Sequence, residues 1–344
     1  MPLTRRQQLL AKVEATYATD PVHAAIDALL VHDFNLTYNQ TQSGRAQFTP
    51  SLSAVRSARL GKRFWNASFW TQLRGNSAAL GTPTPVPLND PLMRACGMSA
   101  TFDAMGPPAN NWTYQPESAG FESVALDVEF EGSYVQMLGC RGNTRLELVA
   151  GEVAKQHFDF SGLWQTPTND AARPITPTLT DDVDPPVVVA TGFVPNFGSG
   201  AENPTAAQWG HIRSAMIDLR NQIVPSESLT VGDGIRSFEM VGRGSTDDPG
   251  ASISLEVEYP ASIGAAVAGD YWTKLDGRTN TTATATFTLG SVAGNTVEII
   301  VPRFSVDDVQ FTDFDGRVGL TVEGRLLVSS SAATSDDELQ IRHS

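Results

Sequence analysis

Hydrophobic and polar residues alternate along most of this chain with a period close to two. The clearest run spans residues 63–73, where aromatic and β-branched side chains recur as they do in a half-buried strand. Glycine, asparagine or aspartate separates the other alternating runs, which lie at residues 123–130, 144–149, 252–259, 282–289, 296–301 and 318–328. The pattern predicts a mainly β protein with antiparallel sheets.

Helical periodicity is confined to three short stretches. These are residues 6–14, residues 90–96 after a proline-rich loop, and residues 261–275 with a face of small side chains. We therefore expect each half of the molecule to carry at most a short flanking helix.

A change of composition divides the chain. Between residues 165 and 205 prolines recur among Thr, Asp and Asn, and repeated prolines oppose regular β-ladders. The predicted organisation is an N-terminal arm, a first domain with a long basic loop at 44–61, a proline-rich linker, a second domain and a C-terminal tail that is mobile at its end. Their bounds are 1–21, 22–164, 165–205, 206–328 and 329–344.

The two halves repeat one order of elements. A strand at 34–38, the basic loop, the strand at 64–73, a short helix and further strands ending at 158–160 make up the first half. In the second half, strands at 215–219, 236–241 and 253–257, the helix from residue 261 and strands ending at 320–327 follow in the same order. We interpret this as an internal duplication; two unrelated β domains are the alternative.

Charge is distributed unevenly. Residues 1–150 carry 12 Lys and Arg against 12 Asp and Glu, whereas residues 151–344 carry 12 against 26, so all of the net charge of −14 lies in the second part. An acidic surface repels phosphate, which disfavours a conventional nucleic-acid-binding role. No apolar run approaches the length of a membrane span, and the polar N-terminus does not predict a secretory leader.

The residues that carry chemistry in other proteins are scattered. The five histidines and the two cysteines lack metal-ligand spacing, and we expect Cys96 and Cys140 to be reduced, buried thiols. Residues 311–316 are better explained as a hairpin turn than as a calcium loop. Paired carboxylates such as Glu256 and Glu258 fit a solvated strand face better than an acid/base pair. The sequence predicts no enzyme activity, no cofactor and no metal.

The aromatic strand at 64–70 has alternative interpretations. Alternation places Trp65 and Phe69 on one side and Phe64 and Trp70 on the other, so both faces are covered. A base- or sugar-stacking platform needs one exposed aromatic face. We therefore predict that Trp65 and Phe69 lie in the core or at a subunit interface.

Several blocks of the chain resemble the tail tube proteins of long-tailed bacteriophages. Residues 8–21 resemble the N-terminal arm of that family, and the match continues mainly in the first half, more loosely in the second. The further blocks are residues 91–97, 114–124, 138–143, 148–163 and 337–341. The central linker departs from the family pattern.

This resemblance implies a fold and a function. It implies two tandem antiparallel β-sandwich or half-barrel tail-tube domains that assemble into stacked six-fold rings in the virion tail, after synthesis in the host cytoplasm. The tube surrounds a tape-measure protein, meets tail terminator and distal tail proteins at its ends, and later conducts double-stranded DNA without binding it specifically. Because each half is predicted to be one domain, we expect three chains per pseudo-six-fold ring.

Two other functions remain open. Another virion β-sandwich protein, such as a tail terminator, a decoration protein or a receptor-binding protein, also needs no catalytic residues. A carbohydrate-active module is suggested only by β content, acidity and aromatics.

The tail-tube interpretation assigns two groups of residues. The segment 45–74 has six basic residues and no acidic one, which suggests a loop that contacts the next ring. Its predicted stacking residues are Arg45, Arg56, Arg59, Lys62 and Arg63. The candidate residues lining the lumen are Glu256, Glu258, Asp313 and Asp315.

Overall fold

A computed structural model describes most of the chain. It covers residues 7–46, 55–75, 86–105, 110–178, 184–188, 211–248, 250–259, 275, 283–292, 294–328 and 336–344. The basic-loop tip, residues 189–210 and all but one residue of the predicted helix at 261–275 lie outside these ranges.

The described residues form antiparallel strands with one short α-helix, which confirms the predicted mainly β class. The strands before the proline-rich segment are β1 (Gln8–Val13), β2 (Ala28–Leu29), β3 (His32–Ala46), β4 (Val55–Gln72), β5 (Met98–Asp103), β6 (Asn111–Pro116), β7 (Val124–Phe130), β8 (Ser133–Val149) and β9 (Lys155–Leu163), and β10 (Thr168–Asn169) lies within it. The later strands are β11 (Ile212–Asp218), β12 (Asn221–Glu227), β13 (Ile235–Arg243), β14 (Ser252–Glu258), β15 (Ala283–Val292), β16 (Asn295–Phe314), β17 (Arg317–Leu326) and β18 (Gln340–His343).

Helix α1 (Asp90–Ala95) lies where the sequence predicts a helix at 90–96. Proline at its second position supplies a backbone angle suited to the first turn. The side chains of Leu92 and Met93 are fully buried. The predicted helix at 6–14 is wrong, because its described residues contain β1, which pairs with β7 over six residues.

One strand order occurs twice. Strands β3, β4, β9, β8 and β7 are successive neighbours in space, and we name them the first module. Strands β11, β14, β17, β16 and β15 are successive neighbours as well, and we name them the second module. In both modules the fifth strand in chain order pairs with the second. This strand is β9, beside β4, in the first module and β17, beside β14, in the second.

The modules join into one continuous sheet. The long strand β8 pairs with β7 through its first half and with β9 further along, and residues 145–149 pair with β11 on their other edge. The long strand β16 likewise pairs with β15 through its first half and with β17 through its second half. Each long strand therefore bridges two layers of its module.

The core lies on one face of this continuous sheet. Because alternate strand residues face opposite sides, the inward positions carry apolar side chains and the outward positions carry polar ones. Trp65 and Phe69 are 8% and 3% exposed, and the ring of Phe69 lies 5.7 Å from that of Phe158. Both Cys96 and Cys140 are buried free thiols, and burial raises their pKa well above the ordinary value.

Both chain ends are tied into the sheet. The predicted mobile end of the C-terminal tail is wrong, because β18 lies between β16 and β6 and Ile341 is fully buried. On the other side of the molecule, the carboxylate of Glu14 accepts hydrogen bonds from Ala18, Ser123 and Gly139 at 2.6–2.8 Å. Residues 8–18 are thus held by pairing with β7 and by the hydrogen bonds of Glu14.

The described part of the proline-rich segment packs on the first module. Strand β10 pairs with β8, and the amide of Thr178 donates to the carbonyl of Ala25 at 2.8 Å. Arg173 forms ion pairs with the buried carboxylates of Glu129 and Asp127 on β7. No helix within the described ranges is long and apolar enough to cross a membrane.

Candidate assembly surface

The strands β3 and β16 provide two of the unpaired edges of the continuous sheet. Within the described residues, β3 pairs only with β4, and residues 305–314 of β16 pair only with β17. An exposed strand edge presents a row of backbone donors and acceptors that readily pairs with another chain. The two edges lie at opposite ends of the joined modules, so they cannot satisfy each other within this single sheet.

The junction between the modules indicates how such edges pair. Residues 145–149 of β8 lie antiparallel to 214–218 of β11, with Arg145 opposite Asp218 and Glu147 opposite Met216. Strand β8 corresponds to β16 in the repeated order, and β11 corresponds to β3. The chain therefore contains, within itself, the contact that its two unpaired edges could make between copies.

Apolar side chains are exposed next to the β16 edge. Phe311, Val318 and Tyr259 are 64%, 57% and 42% exposed, and the rings of Tyr259 and Phe311 stack with centroids 5.9 Å apart. At the in-chain junction, by contrast, Leu146 and Leu148 of β8 are only 1% and 2% exposed. The second module covers those leucines, and nothing among the described residues covers the patch at Phe311 to the same degree.

A polar face runs across both modules on the side away from the core. In the first module, Asn35, Ser68, Asp159 and Asn143 form one cross-strand row. In the second module, the corresponding row is Met216, Ser254, Glu323 and Asp308. Matching the two rows strand by strand makes Asn35 equivalent to Met216, Ser68 to Ser254, Asp159 to Glu323 and Asn143 to Asp308.

Two of the four predicted lumen residues belong to this polar face. Glu256 is exposed and accepts a hydrogen bond from Ser214 at 2.8 Å, and the carboxylate of Glu258 lies 3.6 Å from Arg317. Asp313 and Asp315 are placed elsewhere. Asp313 accepts from the amide of Gly316 in the β16–β17 turn, and Asp315 occupies that turn with a φ of 53°.

The hairpin of β12 and β13 crosses the rim of the first module. The guanidinium of Arg63 lies 2.5 Å from Asp233, and Lys62 forms an ion pair with Glu227. Arg141 of β8 donates to Glu239 and to the carbonyl of Phe238, at 2.6 and 2.9 Å.

Electrostatics favour this docking. Burial by itself raises the pKa of Glu239, but hydrogen bonds from Ser237 and Arg141 outweigh it, so the pKa is lowered. At the neighbouring corner, the ring of Phe238 packs 5.7 Å from Phe64. The hairpin therefore presents three carboxylates, those of Glu227, Asp233 and Glu239, to the basic side chains of the rim.

The predicted stacking residues separate into two groups. Lys62 and Arg63 are engaged inside the chain by this acidic hairpin, whereas Arg59 is exposed. Arg45 and Arg56 are opposite each other in the β3–β4 ladder. Sequence reasoning missed Glu227, Asp233 and Arg141, because nothing local marks residues about 100 to 170 positions apart as partners.

No protein-family model matches the chain. None of the curated proteins is significantly similar to its sequence.

Proposed function

We propose that this chain is a structural subunit of a bacteriophage tail tube, in which three copies close a ring and rings stack into a hollow conduit. Each module serves as one tube domain of the half-barrel or β-sandwich type. As a structural protein it requires no catalytic site. Its partners are further copies of itself, a tape-measure protein, the tail terminator and distal tail proteins, and DNA in transit.

One observation carries this proposal: a repeated module already joined once by edge pairing, with the same two edges left over at the ends. A repeated unit that joins head to tail forms a closed ring when the rotation closes, and closure removes exposed edges. With two modules per chain, three chains provide six modules. The apolar patch at Phe311 and Val318 then becomes covered, as Leu146 and Leu148 are covered at the in-chain junction.

The polar face supports a bore on that side of the sheet. The second module contributes Glu256, Glu258, Glu323 and Asp308 to it, against Arg317 and Arg325. Affinity for DNA arises mainly from cations that displace counterions, so an acidic lining lets a duplex pass without binding.

Cysteine cross-linking tests the ring. By the matched rows, Thr37 on β3 is equivalent to Asp218 on β11, and Gln310 on β16 is equivalent to Arg145 on β8. Because Asp218 and Arg145 lie opposite each other at the in-chain junction, Thr37 of one copy should lie opposite Gln310 of the next. We expect the double variant Thr37→Cys, Gln310→Cys to form intermolecular disulfides on mild oxidation. The covalent products should end at three chains, and negative-stain images of the same sample should show rings or tubes.

Two controls define the register. Arg145→Cys with Asp218→Cys should close a disulfide within one chain and leave the mass unchanged. Asn35→Cys with Gln310→Cys displaces the pair by two residues and should cross-link poorly. A parent chain that stays monomeric at every concentration, with no product from the Thr37–Gln310 pair, would refute the proposed function.

A further inference from the structure

The basic β3–β4 arm protrudes as a two-stranded ribbon. Residues 39–46 and 55–61 form a ladder only with each other among the described residues, because the β4–β9 ladder begins at Phe64 and the contacts with the β12–β13 hairpin begin at Lys62. Side chains at 41–44 and 58–61 are exposed, and Leu60 is 62% exposed. An isolated two-stranded ribbon is marginally stable in water, so this arm needs a surface to rest on.

The second module contains an equivalent element that is already seated. In the repeated order, the arm connects β3 to β4, and the β12–β13 hairpin connects β11 to β14. That hairpin rests on the rim of the first module, where it contacts Lys62, Arg63 and Arg141. The corresponding rim of the second module is formed by the segment before β14 and the middle of β16, and no described element of the same chain covers it as the hairpin covers the first rim.

The rim of the first module and the rim of the second module carry opposite charges. Counting back from the matched pair Ser68 and Ser254, basic Lys62 takes the same position as acidic Asp248, which lies before β14. The second rim holds Asp247, Asp248, Asp307 and Asp308. Two arginines of the same chain lie beside them: the guanidinium of Arg325 is 2.6 Å from Asp307 and 3.7 Å from Asp248, and that of Arg220 is 2.6 Å from Asp248.

Two further features make this rim suited to cationic groups. The hydrogen bond to Asp307 raises the pKa of Arg325, as expected beside carboxylates. Asp308 is directly opposite Glu323 in the β16–β17 ladder, and like charges in that position repel. Inside the chain an acidic hairpin rests on a basic rim; between chains, a basic arm would meet an acidic rim.

We infer that the β3–β4 arm of one copy docks across the acidic rim of its neighbour in the same ring, in the place that the β12–β13 hairpin occupies within the chain. This inference rests on the proposed ring. It assigns Arg56 and Arg59 to contacts within a ring, where the basic composition alone suggested contacts between rings. The arm thus acts as a charge-matched clasp that makes the between-chain junction specific.

Charge reversal tests the clasp. In the full chain, Arg56→Glu with Arg59→Glu should weaken ring formation at least tenfold at low salt, measured by sedimentation velocity across a concentration series. Adding Asp247→Lys and Asp308→Lys to the same chain should restore most of the affinity, because it re-forms opposite charges with the polarity exchanged. The matched control is Lys12→Glu with Arg236→Glu, since neither residue lies on the arm, on the acidic rim or at the β16 edge.

Each outcome of this experiment either supports or overturns the docking of the arm within a ring. Loss with the arm variant, rescue by the aspartate reversals and an unchanged control support the clasp. Rings that form with parental affinity but no longer stack would place the arm between rings and overturn the inference, as would an arm variant indistinguishable from the parent. In both of those cases the proposed function survives, because the Thr37–Gln310 cross-link still reports ring closure independently.

Discussion

At the scale of single residues, the most constrained charges lie under the proline-rich segment. The carboxylate of Glu129 is completely buried on β7, where it pairs with Arg173 and accepts from the amide of Ile175 at 2.8 Å. Close by, burial raises the pKa of Asp127 to about 7 and lowers that of His23 to about 4. At neutral pH His23 is therefore uncharged and Asp127 only partly ionised, which leaves the Glu129–Arg173 pair as the main charged contact of this cluster.

Removing that guanidinium should be costly. We expect Arg173→Ala to lower the free energy of unfolding by about 3–5 kcal/mol, because it leaves a buried carboxylate without its counter-charge. Urea denaturation of the purified chain measures the loss. The control is Arg220→Ala, which removes a more exposed partner of Asp248 and should cost less than about 1 kcal/mol. Equal losses for the two variants would contradict this account.

At the scale of elements, two long strands determine how the layers connect. The first half of β8 pairs with β7 and its second half with β9. In the same way, the first half of β16 pairs with β15 and its second half with β17. Within the described ranges, β11 pairs with the other edge of the second half of β8, and no strand pairs with the other edge of residues 305–314 of β16. The equivalent stretch of β16 carries Phe311, which is 64% exposed. Exposed apolar patches of this kind are typical of surfaces that bind another protein.

Phe311→Lys should therefore abolish association and spare the fold. The side chain is 64% exposed, so we expect thermal unfolding of the isolated chain to change little, while ring formation falls at least tenfold in light scattering or sedimentation. Val292→Lys serves as the control, because Val292 is equally exposed, at 66%, on β15 away from the edge. A Phe311→Lys chain that assembles like the parent would show that this edge is not an interface.

At the scale of the whole molecule, the polar face differs between the modules. In the first, Arg145 and Lys155 balance Glu147 and Asp159, and His157 lies 2.6 Å from Glu147. In the second, carboxylates outnumber cationic groups. A bore built from six modules would therefore alternate between neutral and acidic sectors, with the acidic ones supplying most of the repulsion toward phosphate.

Reversing that charge should make the tube retain DNA. We expect tubes assembled from Glu256→Lys, Glu323→Lys chains to bind short duplex DNA at low salt, with an affinity that falls steeply as salt rises. Gel retardation measures this binding. The control, Glu152→Lys with Asp184→Lys, places the same charges outside the polar face and should leave parent-like tubes that bind no more DNA than before. If both variants bound DNA equally, the polar face would not be the lining of the bore.

Much of the secondary structure follows from local sequence alone. Alternation along residues 63–73 and 252–259 was sufficient to predict β14 and the second part of β4, because a half-buried strand shows a period of two. The predicted loop at 44–61 is wrong at both ends, because residues 44–46 belong to β3 and residues 55–61 to β4. The predicted duplication stays a prediction: one strand order occurs twice, but the predicted strand at 236–241 lies in the separate β12–β13 sheet, and residues 261–274 of the predicted second helix lie outside the described residues. At residues 8–13 local sequence misled, because pairing with β7 outweighed a weak helical pattern.

The tertiary structure alone decided which residues meet and which edges remain open. The pairing of β8 with β11 joins segments about 70 residues apart, and Arg63 meets Asp233 across 170 residues. No local pattern encodes such contacts, because they depend on how loops return the chain and on the register of each ladder. Register also separated Glu256, on the polar face, from Asp313, which lies at the end of β16 and accepts from the amide of Gly316 in the adjoining turn.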